Sequence, residues 1–209
     1  MRLVSAYYFD MYPFDQINVF KDFIDTNEPA DLKVGDVLLV WGGADIHPSL
    51  YNKGRSSKSW AGPEVSYRDQ VEWNLMQRAK ELGLPIIGVC RGAQMLCALA
   101  GGILAQHVDN HSGYHRVQTH DGHIIQVNSI HHQMMVPDGT NHELVAWMPE
   151  PRSKVYLDED DSNIPVKVEP EFIYFNDVKG FAIQWHPEMM ELDTPANRYV
   201  LDYIEKGLT

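Results

Sequence analysis

A cysteine between two glycines is the feature of this sequence with the clearest chemistry. Cys90 stands in the stretch Gly88-Val89-Cys90-Arg91-Gly92, between an apolar run and a helical pattern. That context predicts a nucleophile elbow, a sharp strand-to-helix turn that holds a reactive atom above the edge of a sheet. A helix N-terminus stabilises a thiolate through its dipole and free N–H groups. The alternative is a core cysteine at a strand end. Cys97, within the apolar helix that follows, is predicted to be plain core packing.

A cysteine nucleophile needs a base, and the base needs a group that orients it. The candidates lie in the stretch Gln184-Trp185-His186-Pro187-Glu188. Proline disfavours helix at the preceding residue, so we expect His186 to be extended. Residues i and i+2 of an extended segment point to the same side, which lets Glu188 orient the imidazole of His186. The alternative is a surface loop in which His186 and Glu188 are incidental.

Histidines recur every four residues at His107, His111 and His115, with two more at His120 and His123. On a helix this spacing would favour a zinc site. Asn110, Ser112 and Gly113 make the segment a poor helix, however, and we therefore predict neither a metal nor any other cofactor. His131 and His132 point in opposite directions if the chain is extended there, so we do not expect them to bind one ion.

The elements that would position these groups alternate in the first half of the chain. Apolar runs predict strands at 2–8, 36–41 and 85–90, and helical periodicity predicts helices at 14–27, 64–82 and 91–100. This alternation indicates an α/β fold with a mostly parallel central sheet flanked by helices. The second half predicts a small antiparallel extension and then a closing helix at 197–206. The short strands expected there are 123–129, 143–148, 166–168, 172–175 and 180–184.

Length and composition exclude several classes of protein. The chain has 209 residues, of which 44% are hydrophobic and 22% charged, and we expect one domain over 1–209. A net charge of −12 argues against nucleic acid or a membrane surface as a partner. We find no apolar run of ~20 residues and no signal-peptide pattern. Cys90 and Cys97 would lie ~10 Å apart on one helix, too far for a disulfide, which predicts a reducing, cytoplasmic compartment.

Five stretches together resemble the class I glutamine amidotransferase superfamily. They are WGGADIHPSLYN (41–52), Arg68-Asp69 with Glu72, PIIGVCRGAQMLCALAGGILAQ (85–106), VNSIHHQ (127–133) and FAIQWHPE (181–188). Within that superfamily the sequence is most similar to the gamma-glutamyl-gamma-aminobutyrate hydrolase group of cysteine peptidases. The resemblance implies a flavodoxin-like arrangement of the sheet and its helices.

The resemblance also implies roles for individual residues. Cys90 would be the nucleophile, His186 the acid and base, and Glu188 the group that orients the histidine. The backbone N–H groups of Gly43 and Arg91 would form the oxyanion hole. The resemblance and their placement imply substrate contacts for a further set of side chains: Gln94, Asn128, Ser129, His131, His132 and Gln133. The expected substrate is a small molecule with a gamma-glutamyl group, either glutamine or a conjugate.

Two departures from the family pattern bear on specificity. The region before residue 36 has no room for an additional strand, and 153–177 carries an acidic run in place of the family's usual turn and strand. Three functions remain open. The first is a cysteine-dependent hydrolase of gamma-glutamyl amides, and the second is a glutaminase subunit that supplies ammonia to a separate synthetase or amidoligase. The third is an inactive binding or regulatory protein, which would be expected to lack a member of the triad.

Overall fold

The computed structural model describes residues 1–7 and 10–209, whose regular structure consists of three α-helices, thirteen strands and six short 3-10 helices. The helices are α1 (Tyr67–Glu81), α2 (Arg91–Leu99) and α3 (Pro195–Leu208). The strands are β1 (Arg2–Ser5), β2 (Asp22–Asp25), β3 (Asp36–Val40), β4 (Ile86–Val89), β5 (Ile103–Ala105), β6 (His107–Val108), β7 (Ser112–Thr119), β8 (Ile124–Ile130), β9 (Met134–Val136), β10 (His142–Trp147), β11 (Tyr156–Leu157), β12 (Pro170–Phe175) and β13 (Gly180–Ile183).

One nine-stranded sheet runs through the molecule in the order β2-β1-β3-β4-β13-β12-β10-β7-β8. The first five strands of that order are parallel, and the remaining four pair antiparallel. The predicted α/β class with an antiparallel extension is confirmed. The extension is larger than expected, because four antiparallel strands, β12, β10, β7 and β8, continue the central sheet.

The two faces of the sheet are covered by different helices. Alternate side chains of a strand point to opposite faces, and β3 divides in this way. Val37 and Leu39 belong to the apolar cluster that α3 completes, whereas Leu38 and Val40 belong to the cluster formed with α1 and α2. The buried strands are therefore apolar throughout, as a sheet covered on both sides requires.

Capping residues decide where the long helices begin and end. The Ser66 side chain accepts the N–H of Asp69 at the start of α1, and Gly83, with φ of +66°, follows its end. The Thr194 side chain caps α3 in the same way, and Pro195 occupies the first helical position, where a missing N–H has no cost. These local signals explain why the predicted bounds of both helices, 64–82 and 197–206, lie within three residues of the observed ones.

The predicted helix over 14–27 is wrong. The segment forms one short 3-10 helix, Phe14–Gln16, and then the edge strand β2, which pairs in parallel with β1. Phe20, Phe23 and Ile24 favour a strand as much as a helix, and a neighbouring strand offers the backbone a full hydrogen-bonding partner. The expectation that no additional strand fits before residue 36 is wrong for the same reason.

Other differences lie in short segments. The strand predicted at 166–168 is absent from the described structure, where this stretch between Pro165 and Pro170 is irregular. Tyr8, the end of the first predicted strand, lies outside the described residues. The acidic run is held against a loop that comes much earlier in the chain, since Glu159 accepts the N–H of Gly54 at 2.7 Å. Among the described residues, no helix has the length and apolar character needed to cross a membrane.

Candidate active site

Cys90 occupies a strained turn between β4 and α2. Its φ of +49° and ψ of −104° lie in a region that residues with a side chain rarely adopt. Two glycines make this turn sterically feasible. A Cβ on Gly88 would lie 2.5 Å from the carbonyl oxygen of Gly92, and a Cβ on Gly92 would collide with the backbone of Val40. The backbone geometry is that of the predicted nucleophile elbow.

His186 follows the strand next to β4 in the sheet and shares its surroundings with Cys90. A Cβ on Gly42 would lie 2.8 Å from His186 Cε1 and 3.5 Å from Cys90 Cβ, so all three residues meet at one point. The His186 Nδ1 atom lies 2.7 Å from Glu188 Oε1. The predicted extended conformation of His186 is wrong, because His186 has φ of −110° and ψ of 86° and Glu188 lies in the short 3-10 helix Pro187–Met189. Burial lowers the pKa of His186, but the interactions with Cys90 and Glu188 outweigh that effect and raise the pKa to about 10. Both contacts favour the protonated imidazole over the neutral one.

Asn128 holds the backbone of His186. Its Nδ2 donates to the His186 carbonyl at 2.8 Å, and its Oδ1 accepts the His186 N–H, also at 2.8 Å. Both ends of the amide are therefore occupied by the peptide groups of one residue. The sequence predicts Asn128 as a substrate contact, whereas in the described structure its amide binds the His186 backbone and does not line the cavity at Cys90.

A buried ionic network lies beneath the predicted oxyanion hole. The Arg91 guanidinium pairs with Asp69, at 2.5 Å, and with Glu72, both from α1. Arg68 pairs with Glu72 at 3.0 Å and donates to the carbonyl of Gly42 at 3.0 Å. The network joins α1, the start of α2 and the turn after β3, and thereby fixes the two peptides whose N–H groups are the predicted oxyanion donors. No role was predicted for Asp69 and Glu72, although their spacing of i and i+3, which puts both on one face of a helix, was the available signal.

The remaining predicted substrate contacts bind other parts of the protein. Gln94 Nε2 donates to the carbonyl of Gln133 at 3.1 Å, and Gln133 Nε2 donates to the carbonyl of Gln106. Ser129 Oγ donates to the carbonyl of His111. These three side chains are buried and, in the described structure, do not line the cavity at Cys90.

The neighbouring histidines His131 and His132 point in different directions, as expected. His131 Nδ1 lies 2.9 Å from the carbonyl oxygen of Gln133, and its ring turns toward Glu171. His132 stacks on Trp60, with ring centroids 3.8 Å apart, and its Nε2 lies 3.0 Å from Asp45. Neither ring lines the cavity at Cys90 in the described structure. Their predicted role in substrate binding stays untested.

A cavity of about 490 Å³ opens over Cys90. It falls within the ~300–1,000 Å³ that is usual for small-molecule sites. Its described lining combines apolar side chains with a few acidic groups: Asp10, Tyr12, Trp41, Gly42, Gly43, Cys90, Ile130, His186, Glu188 and Met189. Asp10 and Tyr12 belong to a segment that sequence reasoning did not assign to the site. Tyr12 is held there by a 2.8 Å hydrogen bond from its hydroxyl to the carbonyl of Met190, a contact between residues far apart in the chain.

A strained elbow cysteine, a histidine–glutamate pair and a shared cavity, on a mostly parallel sheet, place this chain among the glutamine amidotransferase-like enzymes. The model of the Peptidase C26 family matches residues 26–152. The chain belongs to this family. The resemblance to the class I glutamine amidotransferase superfamily is thereby confirmed.

Two relatives illustrate the similarity in sequence. The "Putative glutamine amidotransferase PB2B2.05" of Schizosaccharomyces pombe is 30% identical over 119 residues, 47% of this chain and 47% of the relative. The "Putative glutamine amidotransferase-like protein YvdE" of Lactococcus lactis is 28% identical over 178 residues, 75% of this chain and 67% of the relative. The match thus spans about half the length of the first relative and about two thirds of the second.

Solved structures show the same fold at low sequence identity. A glutamine amidotransferase of Methylobacillus flagellatus superimposes with a TM-score of 0.60 at 13% identity, covering 99% of this chain and 94% of that one. A glutamine amidotransferase of Thermotoga maritima superimposes with a TM-score of 0.55 at 16% identity, covering 100% of this chain and 94% of that one.

Proposed function

We propose that this chain hydrolyses gamma-glutamyl amides through a thioester on Cys90. The observation that carries the proposal is the strained Cys90 elbow facing the same cavity as the His186–Glu188 pair. The Cys90 thiolate attacks the gamma-carbonyl carbon, and the N–H groups of Gly43 and Arg91 receive the oxyanion. His186 gives its proton to the leaving amine as the C–N bond breaks. It then takes a proton from the water that hydrolyses the thioester.

The cavity lining supports a conjugate in preference to glutamine alone. Tyr12, Trp41, Ile130 and Met189 provide apolar surface that the amide nitrogen of glutamine would not need. The carboxylate of Asp10 suits the alpha-ammonium group of a gamma-glutamyl substrate. We therefore expect the leaving amine to carry an apolar portion.

The test is glutamate release from a panel of substrates. The panel contains glutamine, gamma-glutamyl-aminobutyrate, gamma-glutamyl dipeptides and a gamma-glutamyl anilide, each incubated with wild type, Cys90→Ala and Cys97→Ala. We expect turnover of a conjugate well above that of glutamine, lost in Cys90→Ala and kept in Cys97→Ala. Undiminished turnover by Cys90→Ala would contradict the mechanism.

One observation favours a second function. The chain would then be a glutaminase subunit that passes ammonia to a separate synthetase or amidoligase. Ile130 and Met189 line the mouth of the cavity and are 63% and 56% exposed, an apolar surface that a partner enzyme could cover. This function predicts weak activity on glutamine and none on the conjugates until the partner is present. The same panel therefore separates the two functions.

A further inference from the structure

Five histidine and glutamate side chains form a buried cluster on the antiparallel half of the sheet, outside the cavity at Cys90. They are His111, His115, His131, Glu169 and Glu171, and each of these side chains is at most 4% exposed. The cluster differs from the three histidines whose spacing suggested a site, His107, His111 and His115. His107, in strand β6, turns away to His132, with the two Nδ1 atoms 3.5 Å apart.

The sheet brings three of these side chains together from distant parts of the chain. His111 and His131 flank the paired strands β7 and β8, where the His131 N–H donates to the His111 carbonyl at 3.2 Å. Their ring centroids are 4.7 Å apart. Glu171 is the extra residue of an irregularity in the pairing of β12 with β10, between Pro170 and Phe172. Such a bulge redirects a side chain, and functional sites use it often.

The ligand atoms of His111, His131 and Glu171 converge. His111 Nδ1 lies 3.8 Å from Glu171 Oε1, and His131 Nε2 lies 3.9 Å from the same oxygen. One ligand atom from each residue lies within 4.8 Å of those of the other two. In a tetrahedral zinc site with bonds of 2.0–2.1 Å, ligand atoms are roughly 3.4 Å apart. Shifts of about an ångström or less would therefore close the site.

Polar atoms of the cluster are left without partners, which is costly for buried groups. His111 Nδ1, His131 Nε2 and Glu171 Oε2 are buried and accept or donate no hydrogen bond in the described structure. A single cation between them would coordinate two of the nitrogens and the carboxylate together. It would also offset the negative charge that Glu169 and Glu171 place in the interior.

The neighbours of each candidate ligand orient it as metal ligands are usually oriented. His131 Nδ1 faces the carbonyl of Gln133 at 2.9 Å, and His111 Nε2 lies 3.4 Å from Glu169 Oε2. His131 thus has a partner for one N–H, which leaves its Nε2 free to bind an ion. Both ring nitrogens of His111 are without a hydrogen bond in the described structure, and the carboxylate of Glu169 lies on the Nε2 side. His115 Nε2 lies 3.0 Å from Glu171 Oε1 and holds the carboxylate in place. Outer partners of this kind fix the tautomer and direction of metal-binding histidines.

We propose that His111, His131 and Glu171 bind one divalent transition-metal ion. Two imidazoles with one carboxylate form a donor set that suits zinc and disfavours magnesium or calcium, which prefer oxygen ligands. A cavity of about 290 Å³ is lined in part by His111 and His131. Their side chains are 0% and 2% exposed, so the rings themselves are closed off from solvent. The ion keeps a fourth position on the cavity side for water or another small ligand.

The test is a calorimetric titration of the full chain with Zn²⁺. The protein is first stripped of metal with EDTA, and the EDTA is then removed. All proteins carry Cys90→Ser, because Cys90 and His186 are themselves a pair that would bind zinc. We expect one equivalent of Zn²⁺ to bind with a Kd in the micromolar range or below. His131→Gln in this background should weaken binding at least 100-fold. His123→Gln, which alters an exposed histidine in the turn between β7 and β8, should leave it unchanged.

Two further measurements test the metal site on the Cys90→Ser protein alone, in case a ligand variant folds poorly. Saturating Zn²⁺ should raise the Tm of the Cys90→Ser protein by roughly 5–10 °C, since only the folded state assembles the three ligands. Co²⁺ should give the visible bands of a tetrahedral site without a thiolate charge-transfer band. Absence of stoichiometric binding by the Cys90→Ser protein would overturn the proposal, as would binding that His131→Gln and Glu171→Gln both leave intact.

Discussion

The two thiols of this chain have different environments and therefore different expected roles. Cys90 has a strained backbone and lines a cavity, whereas Cys97 is fully buried, and that burial raises its pKa to about 12. We predict that Cys90→Ala lowers turnover by about 10³-fold or more, as loss of a nucleophile does. Cys97→Ala should keep kcat within about threefold and lower only the stability. Parallel assays of both variants check this, and a reversed order would exchange the assignments.

The ionic environment of His186 predicts a pH dependence. Burial lowers its pKa, but Cys90 and Glu188 together raise it to about 10. The proton for the leaving amine is available below that pH, so activity should fall as the pH rises through about 10. Glu188→Gln removes one acidic partner, lowers the pKa and should move the alkaline limb of the kcat/KM profile to lower pH.

The control for this experiment is Glu191→Gln, which alters an exposed carboxylate three residues away. An alkaline limb that does not move in Glu188→Gln would show that another group controls it.

The raised pKa of His186 also has a consequence for the stability of the fold. The folded state binds this proton more tightly than the unfolded state, so its contribution is complete below the ordinary pKa of 6.5 and is lost as the pH approaches 10.

At the scale of elements, β8 positions the loop that carries His186. Asn128 binds both backbone groups of His186, so its removal would leave the direction of the imidazole poorly defined. We predict that Asn128→Ala lowers kcat by about 10–100-fold with little change in KM, because this amide is occupied by the backbone of His186 and does not line the cavity at Cys90. Gln126→Ala, at an exposed position of the same strand, serves as the control. A change confined to KM would instead support the direct substrate contact that the sequence predicts.

Helix α1 holds the start of α2 through buried charge. Glu72 is completely buried against Arg91, whereas Glu81 at the end of the same helix forms an exposed pair with Arg78. Glu72 and Asp69 together balance Arg91 and Arg68, so Glu72→Gln leaves this network with one positive charge in excess and should lower the free energy of unfolding by about 3–5 kcal/mol. Glu81→Gln should change it by less than about 1 kcal/mol. Denaturant unfolding measures both, and equal effects would exclude a special contribution from the buried network.

At the scale of the whole molecule, the central sheet separates two apolar layers. Leu75 of α1 and Ile204 of α3 are fully buried in different clusters on its opposite faces. Each should cost about 2–5 kcal/mol of unfolding free energy when changed to alanine, mainly through the cavity that remains. The costs should add in the double variant because the two residues share no partner. A double variant much less destabilised than the sum would indicate that the layers are coupled across the sheet.

Local patterns were sufficient to predict much of this protein. The glycines around Cys90 and the caps of α1 and α3 all act within a few residues. Their physical effect does not depend on the rest of the fold. The α/β class and the location of the elbow could therefore be predicted from the sequence.

Tertiary structure alone decided the pairings between distant segments. The strand β2 exists because β1 lies beside it, and the same residues carry a pattern that would equally suit a helix. Asn128 reaches His186 across 58 positions of the chain. His111, His131 and Glu171 meet because a bulge turns one side chain toward the ends of two other strands. Such contacts follow from strand order and register, which depend on the packing of the entire chain and leave no short-range pattern in the sequence.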